Sequence, residues 1–379
     1  MDFGLDEAQE LLQKTARDFL QQHASRERVR AVVDGAESQS NELWKEIAQL
    51  GWPGLAIPEA HGGAGLASFE LCIVLKELGR ALAPVPFLPT VFAADAVLRI
   101  GTPEQQALWL PRIAAGDAIA SVAISEEAGG EEPAELRALG LAVGSGHRLR
   151  GRKLFVPDAA RADLILVAAR TEPVTEEAER GLALFLLPRA TPGVRVAELP
   201  AMDRLRRLYA LELDDVALPA QALLGGRAGA WPEIRAVLDR ALVWIAAEMI
   251  GGAQRCLDSA VEHAKSRIQF GRPIGVNQAI KHKCANMLFD VESARALVHH
   301  AAWAADAGDP DAALLAAMAK AYAGDAYQRC ARENLQIHGG VGFTWEYDCH
   351  LHLKRAKSSE SWLGDGRLHR ERVARMLAL

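Results

Sequence analysis

The sequence has few cysteines, and they form no pattern that would build a site. The five thiols are scattered along the chain: Cys72, Cys256, Cys284, Cys330 and Cys349. Structural zinc sites and disulfide frameworks usually need cysteines at short, paired spacings, and no Cys-x-x-Cys pair is present. His350 and His352 are two residues apart, so on a helix they would point to different faces. We therefore expect reduced thiols, a cytoplasmic location and no bound metal.

Excess basic charge and long apolar runs are missing as well. The chain has 43 Lys and Arg against 49 Asp and Glu, which gives a net charge of −6 and argues against nucleic acid as a partner. The most apolar stretch, residues 236–256, is interrupted by charged residues, so no membrane association is expected. The acidic segment 1–7 does not have the pattern of a secretory signal.

Hydropathy patterns divide the chain into three regions. Residues 1–118 have helical periodicity, with apolar stripes such as Leu11, Leu12, Ala16, Phe19 and Leu20. Residues 119–225 contain short apolar runs bounded by turn residues, at 118–125, 164–169, 182–187 and 210–213, with an exposed loop at 171–180. Residues 226–379 return to helical periodicity and are rich in alanine. The predicted fold is mainly α with a middle β domain: an N-terminal helical bundle, a small antiparallel β-sheet or barrel, and a C-terminal four-helix bundle.

The first motif that indicates chemistry covers residues 267–278. A long predicted helix must end there, because a glycine and a proline follow that cannot continue it cheaply. The planar guanidinium of Arg267 suits a pyrophosphate, since it can donate two parallel hydrogen bonds to phosphate oxygens. Phe270 can stack on a planar ring, while Gln269 and Gln278 offer donors and acceptors. The alternative is a solvated helix terminus.

The second motif, residues 336–346, lies near the end of another predicted helix. Three glycines in four positions, Gly339, Gly340 and Gly342, let the backbone approach a ligand closely, and their N–H groups can hold an anion. A glycine-rich turn alone is weak evidence for a site. Its order and separation from the first motif make the pair more informative.

Together the two motifs resemble the acyl-CoA dehydrogenase family, whose C-terminal helical domain carries both. Residues 57–65 look like a loop of the family's N-terminal domain, and residues 123–126 look like its first flavin-contacting strand. Residues 151–156 look like the next such strand, with Phe155 where the family usually has a tryptophan. The resemblance implies FAD as cofactor and α,β-dehydrogenation of an acyl-CoA thioester to the trans-2-enoyl-CoA. It also implies a homodimer or homotetramer, with an electron-transferring flavoprotein as acceptor.

The resemblance also implies which residues contact FAD. Ser125 would bond the pyrimidine side of the flavin, and the backbone at 155–157 would lie near its reactive nitrogen. Residues of the 267–278 motif would reach the FAD of a neighbouring subunit, and residues 336–340 would hold its adenosine and pyrophosphate. The full set is Ser125, Phe155, Val156, Pro157, Arg267, Gln269, Phe270, Asn277, Gln278, Gln336, Ile337, His338, Gly339, Gly340, Gly364 and Asp365.

The sequence departs from the family at the catalytic base. Leu363 stands where the glutamate normally follows an aromatic residue, and Ala241 stands at the alternative position used by some members. Neither side chain can accept a proton. On the substrate side, Glu131 stands where many members have a serine, and Pro157 replaces a hydroxyl residue.

Three hypotheses follow from this departure. In the first, the chain is an acyl-CoA dehydrogenase with a displaced base, for which Glu248, Asp239, Asp365 and Glu360 are candidates; the Leu363 N–H would bond the thioester carbonyl. In the second, the chain is one subunit of a heteromeric enzyme, such as a heterotetramer, whose homologous partner supplies the base. Bacterial enzymes that act on bulky acyl-CoAs such as steroid side chains use this arrangement. In the third, the chain is a binding protein that performs no dehydrogenation.

Overall fold

The computed structural model describes residues 4–127, 129–130, 132–174 and 177–379, and describes residues 37–39 by their backbone alone. Glu131 therefore lies outside the described residues. The chain forms two compact units, each made of separate segments. The first unit contains residues 1–34, 68–83 and 239–379, and the second contains residues 35–67 and 84–238. The predicted region borders after residues 118 and 225 remain predictions.

The mainly helical fold with a middle β-sheet domain is confirmed. The N-terminal helices are α1 (Glu7–His23), α2 (Arg26–Val33), α3 (Glu37–Gln49), α4 (Ser68–Ala81), α5 (Phe87–Ile100) and α6 (Pro103–Ala114). The strands that follow are β1 (Ala120–Ala123), β2 (Leu139–Val143), β3 (Gly146–Pro157), β4 (Leu164–Arg170), β5 (Leu182–Pro188), β6 (Val194–Leu199) and β7 (Leu208–Pro219). The C-terminal elements are α7 (Trp231–Ser266), β8 (Ile268–Gln269), β9 (Arg272–Pro273), α8 (Gln278–Ala307), α9 (Ala312–His338), α10 (Cys349–Ser361) and α11 (Gly366–Met376). No described helix is both long and apolar enough to cross a membrane.

Local signals explain where α1 begins and which face it buries. The Asp6 carboxylate accepts a hydrogen bond from the Gln9 N–H, and the Gln9 side chain bonds back to Asp6, so the two residues form a capping box. Of the predicted apolar stripe, Ala16 and Leu20 are buried, whereas Leu11 is 65% exposed. The buried face is therefore narrower than the sequence pattern suggests.

The middle domain is a curled seven-stranded sheet with the strand order β1-β4-β2-β3-β7-β6, and β5 also pairs with β4. Most pairs are antiparallel, as predicted, but β1 and β2 both pair with β4 in parallel, with Ala120 opposite Leu164 and Leu139 opposite Arg170. β4 and β5 form an antiparallel pair joined through residues 171–181, where the exposed loop was expected; Thr175 and Glu176 in that loop lie outside the described residues. Apolar side chains of the sheet, including Leu149, Phe185 and Leu211, form one buried core.

In the first unit, α4 and α7 approach each other so closely that two glycines are required. A Cβ atom at Gly79 would lie 2.0 Å from the carbonyl oxygen of Glu248, and one at Gly251 would lie 1.8 Å from that of Lys76. The neighbouring Gly252 serves a different contact, because a Cβ there would lie 2.3 Å from the Tyr327 ring. Gly79 and Gly251 therefore allow α7 to pack tightly against α4, and Gly252 allows another face of α7 to pack against α9.

Candidate functional site

The first sequence motif forms a short β-hairpin at the end of α7. β8 pairs with β9 through Gln269 and Arg272, and the residues between them, Phe270 and Gly271, have φ angles of 52° and 76°. Positive φ at both central positions is the geometry of a type I′ turn, which matches the twist of two-stranded hairpins. The Phe270 ring is fully exposed at the tip. The hairpin therefore presents an aromatic ring in a backbone conformation that costs a non-glycine residue free energy.

Polar groups for a ligand lie on and beside this hairpin. Arg267, Gln269, Asn277 and Gln278 are all exposed. Within the described part of the chain, the Arg267 side chain has no hydrogen bond or ion pair. An unengaged guanidinium at a rigid turn can bind a phosphate without first breaking an internal pair.

The second motif lies at the end of α9, where Gln336 is exposed and Ile337 and His338 are buried. α9 ends as Gly339 takes a φ of 67°. A Cβ atom added at Gly339 or Gly340 would meet no atom within 4 Å, so the backbone faces open space there. Such a surface lets a ligand approach the main-chain N–H groups closely.

A pair of stacked histidines brings the two motifs together. His263, in the last turn of α7, stacks on His338 with ring centroids 4.1 Å apart, and Tyr347 packs edge-on against both rings. His338 Nδ1 also bonds the Asn334 carbonyl oxygen at 2.8 Å. Burial lowers the pKa of both histidines, so the stack is formed by neutral rings at neutral pH. This contact was not predicted from the sequence.

The predicted flavin-contacting residues of the middle domain form a second group. β3 and β7 lose register between Lys153 and Val156, and Phe155 in this bulge has a φ of 56° and an exposed ring. The Leu154 N–H donates to the Ser125 carbonyl oxygen at 2.9 Å. Ser125 is half-buried, and Val156 and Pro157 are buried. The bulge thus places the 155–157 segment beside Ser125 and turns Phe155 outward.

A buried ion pair holds this second group, and sequence reasoning missed it. Lys153 is fully buried, and its ammonium donates to the Ile124 carbonyl oxygen at 2.9 Å and to Glu126 Oε1 at 2.6 Å. Burial lowers the pKa of Lys153 to about 8, which leaves it mostly protonated at neutral pH. The ammonium therefore fixes the residues on both sides of Ser125. A lysine within a strand next to apolar positions was the available signal.

The carboxylates considered as candidate bases are engaged in other contacts. Glu248 is buried and pairs with Arg355, with Oε1 and Nη1 2.8 Å apart. Asp239 accepts two hydrogen bonds from the Arg372 guanidinium, one of them at 2.7 Å.

Asp365 and Glu360 have partners as well. Asp365 caps α11 by accepting from the Leu368 N–H at 2.9 Å, and this bond lowers its pKa. Glu360 Oε2 accepts from Lys357 at 2.8 Å. Each of the four carboxylates is thus engaged in at least one polar contact within the structure.

The segment at the family's usual base position is held by main-chain contacts. Leu363 is buried with a φ of 55°, and its carbonyl oxygen bonds His369 Nε2 at 2.8 Å. Lys320 donates to the carbonyl oxygens of Glu360 and Gly364, at 2.8 and 2.7 Å. Ala241, the alternative position, is also buried. No group of three or more His, Cys, Asp or Glu that could hold a metal occurs among the residues that were described.

Comparison with known proteins gives consistent matches along the chain. Family models of the acyl-CoA dehydrogenase N-terminal, middle and C-terminal domains match residues 6–117, 121–216 and 231–378. Acyl-CoA dehydrogenase IpdE2 of Mycolicibacterium smegmatis is 34% identical over 364 residues, which cover 96% of each chain.

Solved structures match over nearly the whole chain. A chain of the ChsE4-ChsE5 complex from Mycobacterium tuberculosis has a TM-score of 0.88 and 31% identity, covering 100% of this chain and 99% of that one. A glutaryl-CoA dehydrogenase from Mycobacterium smegmatis in complex with FADH2 has a TM-score of 0.87 and 27% identity, covering 98% of this chain and 95% of that one.

Proposed function

Because this chain belongs to the acyl-CoA dehydrogenase family, we propose that it binds FAD and dehydrogenates an acyl-CoA thioester between its α and β carbons. The observation that carries the proposal is the convergence of the Arg267 hairpin and the Gly339–Gly340 turn through the His263–His338 stack. A cationic fork and an open glycine backbone suit a dinucleotide with a pyrophosphate. The similarity to a structure that contains FADH2 supports the same cofactor.

FAD fits both sets of residues, the two C-terminal motifs and the Ser125 and 155–157 segments of the middle domain. Arg267, Gln269, Phe270, Asn277 and Gln278 would contact its pyrophosphate and rings from one subunit, together with the backbone of residues 336–340. Ser125 and the 155–157 segment would hold the flavin ring, and Gly364 and Asp365 would lie near it. When bound, FAD supplies the acceptor for a hydride from the β carbon. Contributions from two subunits would make a dimer the smallest active assembly.

The reaction also requires that the thioester be polarised and the α proton removed. The Leu363 N–H would donate to the thioester carbonyl oxygen and stabilise the negative charge that develops there. Proton removal needs a carboxylate near the substrate. If this chain supplies it, Glu248, Asp239 or Asp365 would have to reach the substrate from its present contact.

Because these carboxylates already have partners, a second candidate function is favoured. In this second function, the chain is the FAD-binding subunit of a heteromeric acyl-CoA dehydrogenase, and a homologous subunit supplies the base. Leu363 and Ala241 leave both usual base positions apolar, and removing Glu248 from Arg355 would break a buried ion pair, which is costly. The similarity to a chain of the ChsE4-ChsE5 complex is consistent with a heteromer.

An anaerobic titration of the purified chain with a panel of acyl-CoAs tests these functions. Bleaching of the flavin absorbance by the chain alone would support an internal base. The variants Glu248→Gln, Asp239→Asn and Asp365→Asn would then identify it, since only the true base should lose reduction while still binding FAD. A yellow protein reduced only after co-expression with a homologous subunit would support the heteromer. A protein that takes up no FAD in either setting would contradict both functions.

A further inference from the structure

The turn between α10 and α11 carries the backbone N–H that the proposed function places at the thioester carbonyl. The turn covers residues 362–365, and Leu363 within it has a φ of 55° and is buried. A positive φ costs free energy in a residue with a Cβ atom, so such a conformation persists only where the surrounding structure fixes it. The side chains that fix this turn come from two neighbouring helices, α9 and α11.

Lys320 reaches the turn from α9. Its side chain is almost fully buried, and its ammonium donates to the Glu360 carbonyl oxygen at 2.8 Å and to the Gly364 carbonyl oxygen at 2.7 Å. The last four carbonyl groups of a helix have no partner within that helix, and the Glu360 carbonyl is one of these in α10. A positive charge also interacts favourably with this end of a helix dipole. Lys320 therefore ties the end of α10 to the residue that follows Leu363.

His369 holds the same turn from α11. Its ring is buried, and Nε2 lies 2.8 Å from the Leu363 carbonyl oxygen. Because a carbonyl oxygen can only accept, the ring must carry a hydrogen on Nε2. A Cβ atom added at Gly364 would lie 3.1 Å from this Nε2, so the ring lies directly against the main chain of the turn. Carbonyl groups before and after the Leu363 N–H are thus all held by side chains.

We propose that Lys320 and His369 are positioning residues that fix the direction of the Leu363 N–H. This inference rests on the proposed function, in which that N–H stabilises the negative charge on the thioester carbonyl oxygen. A donor of this kind is effective when it is already oriented, because turning it during the reaction would cost free energy. Both side chains are buried and act through main-chain carbonyl groups, so their contribution is to the geometry of the turn.

The stretching frequency of a bound thioester carbonyl tests this role without any turnover. The FAD-loaded protein, in the assembly that takes up FAD, is saturated with a trans-2-enoyl-CoA that carries an isotope label at its carbonyl carbon. This compound is the product of the proposed reaction, so it binds to the oxidised protein without being dehydrogenated. A hydrogen bond to the carbonyl oxygen weakens the C=O bond and lowers its frequency in the infrared difference spectrum.

Lys320→Met removes the ammonium and keeps a long side chain. We expect the carbonyl band of the bound enoyl-CoA to move to higher frequency and to broaden. Its affinity should fall about three- to tenfold, the effect of one weakened hydrogen bond. Gln328→Met is the matched control, because Gln328 is buried in the same helix and donates to the Glu360 side chain, at 3.3 Å, and not to its main chain. This control should keep both the band and the affinity.

Two variants of His369 keep the test decisive if Lys320→Met does not fold. His369→Gln retains a side-chain N–H donor, so it should keep the band, whereas His369→Leu should shift the band to higher frequency. The positioning role is wrong if Lys320→Met and His369→Leu both match the unaltered protein, or if His369→Gln shifts the band as far as His369→Leu. An unaltered protein that binds no enoyl-CoA would overturn the proposed function, and the positioning role with it.

Discussion

Arg267 is the side chain on which the proposed cofactor binding depends most. It is exposed at the base of the hairpin and has no internal partner within the described chain, so it gains charge-assisted hydrogen bonds only when a ligand is present. We expect Arg267→Gln to weaken FAD binding at least about tenfold, the effect of losing about 1.4 kcal/mol. The free energy of unfolding of the FAD-free variant should stay within about 0.5 kcal/mol of that of the unaltered protein.

Arg272→Gln is the matched control for this prediction, because Arg272 is exposed in the same hairpin but was not assigned to FAD. Dissociation constants would come from titrating FAD-free protein and following flavin fluorescence. An equal loss in both variants would point to general electrostatic attraction by the hairpin and against a specific role of Arg267.

Lys153 stabilises the middle domain through the two residues that flank Ser125. Lys153→Met leaves the Glu126 carboxylate with only the Arg137 and Ala138 N–H groups as partners. Breaking a buried pair by removing one member typically costs about 3–5 kcal/mol. We expect such a loss in urea unfolding, together with weaker FAD binding because Ser125 is no longer held.

The double variant Lys153→Met/Glu126→Gln should recover part of the lost stability, since it removes the unpaired buried charge. If the double variant is as unstable as the single one, the contribution of Lys153 is its packing and its bond to Ile124, and the ion pair matters little.

At the scale of single elements, the tight crossing of α4 and α7 leads to a clear prediction. Gly79→Ala and Gly251→Ala each place a Cβ atom within about 2 Å of a backbone oxygen, so the helices must separate. We expect each variant to lose about 1–3 kcal/mol of stability in urea unfolding, as overpacked sites do.

Gly324→Ala, inside α9, is the control for both variants. Its nearest neighbour would be Glu360 Cγ at 3.7 Å, an ordinary contact distance. Alanine is a better helix former than glycine, so this change should stabilise the protein by about 0.5–1 kcal/mol. Destabilisation by Gly324→Ala, or no effect of the other two changes, would contradict the crossing geometry.

Elements with strong local signals could be predicted from the sequence. The apolar runs at 164–169 and 182–187 correspond to β4 and β5, which are buried on both faces except for Pro188. β6 was missed because its exposed and half-buried residues alternate without an apolar run. The parallel pairing of β1 with β4 could not be predicted, because it depends on contacts about 44 residues apart.

In the candidate site, too, contacts between residues far apart in sequence could not be predicted. Its two motifs were recognised because each is local: a helix stop with an arginine, and a run of glycines. The contacts that position them join residues far apart in sequence, such as the stack of His263 on His338. The engagement of Glu248 also depends on a residue 107 positions away, Arg355. Such partners cannot be assigned from residue types alone.

At the scale of the whole molecule, buried and half-buried histidines make the folded state sensitive to acid. Burial lowers the pKa of four histidines in the C-terminal part of the chain: His263, His338, His350 and His352. The effect is largest for His352, which falls from 6.5 to about 3 and bonds the Tyr327 hydroxyl through Nδ1 at 2.9 Å. Folding therefore holds these rings neutral at pH values where the unfolded chain would protonate them.

We expect stability to be lost as the solution is acidified, with His352 as the main histidine contributor. Because the pKa of His352 is lower in the folded state, the unfolded chain binds a proton that the folded protein does not. The contribution of the neutral ring to the free energy of unfolding is therefore fully present above pH 6.5 and is lost as the pH falls toward 3. His352→Asn keeps a polar side chain near Tyr327 but cannot be protonated, so its free energy of unfolding should fall less steeply over this window. His61→Asn replaces a histidine outside this set of four, so its free energy of unfolding should change with pH as steeply as that of the unaltered protein. Urea unfolding at a series of pH values gives these slopes, and equal slopes for all three proteins would mean that carboxylates, and not His352, control the acid sensitivity.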